Sequence, residues 1–381
     1  MTGAHLLSQD DAEEPPGYIL VIYNTVERVV RGEAHDLLAE QEVIQTAQAI
    51  AAALRAAGHR VITAPVWEDI GAVLEGYDPH DVLVFNLCES LGGRSEDEPK
   101  VPATLDQWGF HYTGSSGPTI ATCLNKAQTK ALLAQRGVPT APYQVFYQPT
   151  DPLNPDLLPA IVKPLAEDAS HGISRDSVVH TPRQVRERVD YILRTYQQPA
   201  LVEAFIPGRE FNVGIWGNGT LHVLPLSELD FSYWTDPYQR VCHYDAKWNP
   251  QAVEYYTMPV LCPAPVEREL AARIREVALR AYRATGCRDY ARVDLRVADG
   301  VPYVLEVNPN PCLAPDAGFF NAARVAGYGY AEMAERIVRL AWRRRHLAWQ
   351  QQPAAYVQHR PGHLLSVVHR PSSLRPGQGL R

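Results

Sequence analysis

The sequence contains no apolar run near the ~20 residues that a membrane-crossing helix needs, which excludes such a helix. Its six cysteines, Cys88, Cys123, Cys242, Cys262, Cys287 and Cys312, include no Cys-x-x-Cys pair. They read as reduced thiols rather than a zinc site or a disulfide framework. A surplus of positive charge is also missing. The net charge of -7 disfavours general nucleic-acid binding and leaves room for a local phosphate site. The N-terminus lacks a signal-peptide pattern and carries Asp10, Asp11, Glu13 and Glu14 instead, so a cytoplasmic location is expected.

What is present is a chain of 381 residues, enough for two or three packed units, with 31 prolines that imply many turns. Residues 1–16 are polar and expected to be disordered. Apolar strands at 18–23, 60–65 and 81–86, with a helix over 40–57, predict a parallel sheet covered by helices. Ligands of such sheets gather beyond the carboxyl ends of the strands, where loops 24–39 and 87–100 emerge. A smaller α+β unit follows, centred on a strand over 160–164 whose Lys163 interrupts an apolar run. The turn after it, 167–173, can offer backbone N–H groups to phosphates. A helix over 182–197 precedes strands at 200–206 and 209–217. Residues 227–257 are long and rich in aromatics, as expected of a lid. An amphipathic helix over 265–285 and helices near 317–326 and 330–348 complete the folded part. From Arg343 onward there are seven arginines and no Asp or Glu. Residues 349–381 are expected to be a disordered basic tail, open to an acidic partner or nucleic acid but more often incidental.

Residues 290–311, YARVDLRVADGVPYVLEVNPNP, organise the rest. Strict alternation puts Tyr290, Arg292, Asp294 and Arg296 on one strand face and Ala291, Val293, Leu295 and Val297 on the other. It resumes after Ala298-Asp299-Gly300, with Val304, Glu306 and Asn308 on one side, so the segment is a β-hairpin. A two-residue Asp-Gly turn would set Asp294 across from Leu305. A three-residue loop is therefore predicted, pairing Arg292 with Glu306 and Asp294 with Val304. One arginine, two carboxylates and an amide oxygen then share a face, and hard oxygen ligands of this kind suit Mg²⁺ holding nucleotide phosphates. A solvated surface ion pair is the plainer alternative.

An Arg-x-Asp strand, a hairpin and then Glu-x-Asn resemble the metal-binding signature of the ATP-grasp ligases, and other stretches resemble the D-alanine–D-alanine ligase branch over roughly residues 18–345. The resemblance implies an α/β (α+β) ATP-grasp fold: a parallel α/β domain over 17–118 and two α+β units, 119–205 and 206–348, clasping ATP. Tyr112-Thr113-Gly114-Ser115-Ser116 and the helix at Lys126 look like the family's first-domain end and phosphate lysine. By the same resemblance Lys126, Lys163 and Ser170 contact phosphates, Glu203 with Phe205 and Ile206 reads adenine, and Glu210 binds ribose. Asp294, Glu306 and Asn308 would hold two Mg²⁺ ions, with Mn²⁺ as an alternative. Catalytic roles fall to Arg292, to Lys247 in a stretch similar to the family's ω-loop, and to Glu40, matched to the N-terminal glutamate that receives an amino group. The sequence departs from the family where substrates bind. Asp168 and Ala169 replace glycine and serine in the phosphate loop, Trp248 replaces a tyrosine, and Cys312 and Ala317 replace a glycine and a serine. Arg94 and Asp316 are candidate readers of a new carboxylate or amine.

The resemblance implies an ATP-dependent carboxylate–amine ligase that joins two amino acids, or an amino acid and an amine, through an acyl phosphate. The rival readings are a true D-alanine–D-alanine ligase and a non-catalytic ATP-binding regulator. Expected partners are small amino acids or amines, with no membrane and no nucleic acid. Family likeness is compatible with a homodimer through the first domain.

Overall fold

The computed structural model describes residues 16–26 and 30–351. The disorder expected at 1–16 and 349–381 therefore falls outside the described residues except at the inner ends. The first sheet runs β2 (Val61–Val66), β1 (Tyr18–Asn24), β3 (Val82–Asn86), β4 (His111–Tyr112), and all its pairings are parallel. Both faces are covered. Ile19 and Val21 join one apolar core and Leu20 and Ile22 another, which is why β1 reads as a continuous apolar run rather than an alternating one. The first face receives Ala47, Ile50 and Leu54 of the Leu37–Ala56 helix and Met333, Ile337 and Ala341 of the Tyr330–Gln351 helix. Full burial of each larger aliphatic side chain is worth about 1.5–3 kcal/mol.

The central sheet is antiparallel, in the order β5 (Tyr143–Phe146), β8 (Ala200–Ala204), β6 (Ala160–Pro164), β7 (Val178–Val179). Helix Pro182–Thr195 packs on it, and its start is fixed by a reciprocal capping box between Thr181 and Gln184 with proline in the first turn. The largest sheet runs β12 (Val260–Leu261), β11 (Ser227–Leu229), β9 (Arg209–Trp216), β13 (Tyr290–Ala298), β14 (Val301–Asn308), with β10 (His222–Val223) paired to β9. Its apolar face, including Val213, Val293, Leu295 and Val304, packs on Ile274, Val277 and Ala278 of helix Arg268–Thr285. The other face is left for polar groups. Where the central and largest sheets meet, a Cβ on Gly208 would lie 1.9 Å from the Val297 carbonyl oxygen, so only glycine permits this close approach.

The β13–β14 hairpin departs from expectation. Ala298 pairs with Val301, so the turn is the two-residue Asp299-Gly300 type, with φ of +49° and +73°. Pairing continues to Leu295 opposite Val304, and a bulge then shifts the register so that Asp294 faces Glu306 and Arg292 faces Asn308. The predicted partners, Glu306 for Arg292 and Val304 for Asp294, are corrected accordingly. The extra residue that the predicted loop placed in the turn sits in the strand instead, where Leu305 is left over. Segment 227–257 is likewise less irregular than expected, since it contains β11 and short helices Tyr244–Trp248 and Val253–Thr257.

Candidate active site

Cross-strand pairing assembles the polar face. On β9, Asn212 lies opposite Asp294 and Glu210 opposite Arg296. Arg292 reaches along its own strand and forks onto Asp294, with Nε to Oδ1 and Nη2 to Oδ2 both at 2.8 Å. Asn212 Nδ2 donates to Asp294 Oδ1 at 2.8 Å, and Asn308 Nδ2 donates to Asp294 Oδ2 at 3.0 Å and to Glu306 Oε1 at 3.3 Å. Burial raises the Asp294 carboxyl above the ordinary range, against the pull of Arg292. Glu306 goes the other way. Burial would raise it, but Lys126, Lys163, Lys247 and Arg292 together hold it down to about 2.

The opposite wall comes from the central sheet and the Lys126–Gln135 helix. Lys130 Nζ lies 2.8 Å and Lys163 Nζ 3.4 Å from the same Glu203 oxygen, and the Glu203 side chain is only 1% exposed. Lys130 also donates to Thr140 Oγ1, which donates to the Val304 carbonyl, so this wall is tied to β14. Buried Lys126 donates to the Glu167 carbonyl and stands 3.9 Å from Asp168 Oδ1, which removes the exposed-lysine alternative. The loop after β6 bends through Ala169 and Ser170, both with positive φ. Ser170 Oγ donates to the Cys242 carbonyl, and Trp248 Nε1 donates to the Ala169 carbonyl at 3.1 Å. The 167–173 loop and the 227–257 segment thus meet.

At the hinge, Arg296 donates to Glu210 Oε2 at 2.8 Å and to the Ile206 carbonyl at 2.9 Å, and its guanidinium lies 4.8 Å from the Phe205 ring centre. The Phe205 N–H is bonded to the Pro159 carbonyl. Glu203, expected to read adenine, has its carboxylate enclosed between two lysines. Of the substrate residues, Cys312 lies 3.5 Å from Glu42 Oε2. Burial raises the Glu42 carboxyl, Cys312 and Lys247 lower it, and Asp316 raises it further, so these four share one neighbourhood. Glu40 lies in the first turns of the same helix, but its side chain is outside the described residues. Arg94 and Asp316 are exposed, and Ala317 caps helix Gly318–Val325.

Four contributors were given no site role by the sequence reading. Lys130 follows Lys126 by one helical turn, Arg296 shares the strand face of Arg292 and Asp294, Asn212 follows Glu210 by two, and Glu42 follows Glu40 by two. Helix and strand periodicity could have flagged the first three.

Residues 132–339 match the family model described as D-ala D-ala ligase C-terminus. A protein named D-alanine–D-alanine ligase from Desulforudis audaxviator is 31% identical over 314 residues, covering 81% of this chain and 96% of that one. The chain belongs to the D-alanine–D-alanine ligase-like family of ATP-grasp proteins. As a member of that family it is an ATP-dependent ligase. An uncharacterised protein, y4sG, from Sinorhizobium fredii is 34% identical over 305 residues, 78% of this chain and 88% of that one. The fold agrees with a crystal structure of D-alanine–D-alanine ligase from Bacillus anthracis complexed with ATP, at a TM-score of 0.68, 22% identity, and coverage of 87% and 99% of the two chains. No helix among the described residues is long and apolar enough to cross a membrane.

The resemblance to ATP-grasp ligases implies a divalent cation at this face. Among the described residues no three His, Cys, Asp or Glu side chains converge on a common cation position. Asp294 and Glu306 are, however, directly paired across the hairpin, and the Asn308 amide bridges them. Two carboxylates and an amide that can turn its oxygen inward fit Mg²⁺, an ion that takes few protein ligands and completes its shell from phosphate and water.

Proposed function

We propose that the chain joins the carboxylate of one amino acid to the amine of a second amino acid or amine, through an acyl phosphate made from ATP, releasing ADP and phosphate. The observation that carries this reading is the charge arrangement around Glu306, where Lys126, Lys163, Lys247 and Arg292 outweigh burial and keep the carboxylate ionised. Bound cations would supply charge neutralisation between phosphate oxygens, held by Asp294, Glu306 and Asn308. Lys126, Lys163 and Ser170 would bind phosphates, with the hinge at Glu203, Phe205, Ile206 and Glu210 enclosing the nucleoside. Arg292, fixed by Asp294, would donate to the oxyanion that forms when the amine attacks. The loop with Ala169 and Ser170 and the helix bearing Lys247 and Trp248 would exclude water from the acyl phosphate. In this reading residues 17–118, 119–205 and 206–348 act as three domains around the nucleotide.

D-alanyl-D-alanine as product is a second reading, favoured by the names of relatives about one third identical in sequence. Trp248, Cys312, Asp316 and Ala317, with Glu42 beside Cys312, favour a different pair. The test is phosphate release from Mg·ATP across a panel of D- and L-amino acids and amines, alone and in pairs, with mass spectrometry of the products. Release with D-alanine alone supports the second reading, and release only with another pair identifies the substrates. Silence across the panel despite ATP binding would overturn the ligase assignment in favour of a binding protein.

A further inference from the structure

The segment between the first strand and the first helix reaches out of its own sheet. Over residues 31–36 it contacts helix Pro182–Thr195 and the residue after it, the 167–172 loop, and helix Tyr244–Trp248. The Gly32 N–H donates to the Thr195 carbonyl at 2.9 Å, Tyr191 Oη donates to Glu33 Oε1 at 3.1 Å, and Tyr196 Oη donates to Asp36 Oδ2 at 3.1 Å. Arg31 lies 3.1 Å from Glu167 and also pairs with Glu96, while Ser95 Oγ donates to Glu167 Oε2 at 3.0 Å. Asp36 Oδ1 lies 4.0 Å from His171 Nε2. The His35 and Tyr244 ring centres lie 4.3 Å apart with the planes tilted by 53°, and the Tyr244 hydroxyl donates to the His35 carbonyl.

Asp36 is the centre of this junction. Its side chain is 3% exposed, and its Oδ1 is buried without a hydrogen-bond partner. Such a carboxylate is costly to bury for stability alone. What it gains is position. One oxygen accepts from the Glu33 N–H at 2.8 Å and from Tyr196, at the end of the helix that covers the central sheet, and the other lies 3.6 Å from His35 Nε2 and 4.0 Å from His171 Nε2 in the phosphate-side loop. That loop must pass through left-handed conformations at Ala169 and Ser170, which a Cβ disfavours, so it needs external anchors to stay in place.

We propose that residues 31–36, with Asp36 as the positioning residue, anchor the 167–172 loop over the nucleotide site and so retain bound nucleotide and shield the reaction from water. This rests on the ligase reading above, and the test separates the two. In the nucleotide-free full chain, hydrogen exchange of the amides at 168–173 is followed for wild type, Asp36→Asn, Tyr196→Phe and the double variant. Arg194→Ala, which alters only an exposed pair with Asp190, serves as the control. Both single changes are expected to speed exchange in the loop, and the double variant to add less than the sum because the two groups share one bond. With Mg²⁺ and a fluorescent ATP analogue, each single change is expected to release nucleotide about tenfold faster, the factor for loss of one charge-assisted hydrogen bond. More phosphate should then be released per amide formed.

Exchange in the loop that matches wild type in both single variants would overturn the anchoring. Faster exchange with unchanged nucleotide release and unchanged phosphate per product would overturn the positioning role. A wild-type chain that binds no nucleotide would defeat the ligase reading, and the exchange data would then judge the anchor by itself.

Discussion

The central sheet and the largest sheet both bury charge beside the same cleft, but they compensate it differently. On the central wall Lys130 and Lys163 share one Glu203 oxygen, two positive groups against one negative, and all three are nearly inaccessible. On the facing wall Arg292 stands against Asp294 and Glu306, one positive group against two negative, and Glu306 is only half buried. The first arrangement is a closed structural triad with a cationic remainder. The second is open, with an anionic remainder that the opposite lysines already stabilise. In the proposed reading, a ligand with phosphates would meet lysines on one side and a pair of carboxylates able to hold a cation on the other.

That contrast is broken most severely from the closed side. Glu203→Ala leaves two buried lysines without their counter-charge and is expected to cost about 3–5 kcal/mol of stability, read from the denaturation midpoint. On the open side, Arg292→Met is expected to lower the melting temperature less than Glu203→Ala does while lowering kcat/KM by on the order of two orders of magnitude, about 3 kcal/mol of transition-state stabilisation. If Arg292→Met instead unfolds the protein while Glu203→Ala does not, the roles of the two walls are reversed.

Acid sharpens the same comparison. Burial would raise Glu203, but Lys130 and Lys163 outweigh it and its pKa is lowered on folding. The stability it provides is therefore complete above its unfolded value, about 4.5, and is lost as pH falls through the lower folded value. Thermal melts of Glu203→Gln should show a flatter acid limb than wild type. The smallest effect is expected at His243 in the lid segment, whose pKa burial lowers although Glu254, 3.4 Å away, opposes the shift. Its neutral form favours folding above about 6.5, and that contribution is lost as pH falls further, so wild type should lose slightly more stability than His243→Gln on acidification.

Much of the site was legible before the fold. The alternation of β13 put Arg292, Asp294 and Arg296 on one face, and the structure keeps them there. Pairing was not legible, because a bulge at Leu305 does in the middle of the strand what a longer turn would have done at its end. Either device brings Glu306 onto the polar face, and the hydrophobic pattern is equally satisfied by both. Lys130 was overlooked because its partner, Glu203, is far along the chain. The docking of residues 31–36 was invisible for the same reason.

The sequence by itself determined which residues share a face, where strands and helices lie, and that acids, amides and lysines sit in the order a nucleotide-dependent ligase requires. These are local properties, set by the periods of strand and helix. Only the tertiary structure decided which charge neutralises which: Glu203 with Lys130 and Lys163, Arg292 with Asp294, Arg296 with Glu210. Charge compensation depends on separations of a few ångströms between groups that are distant along the chain, and those separations exist only once the sheets have packed.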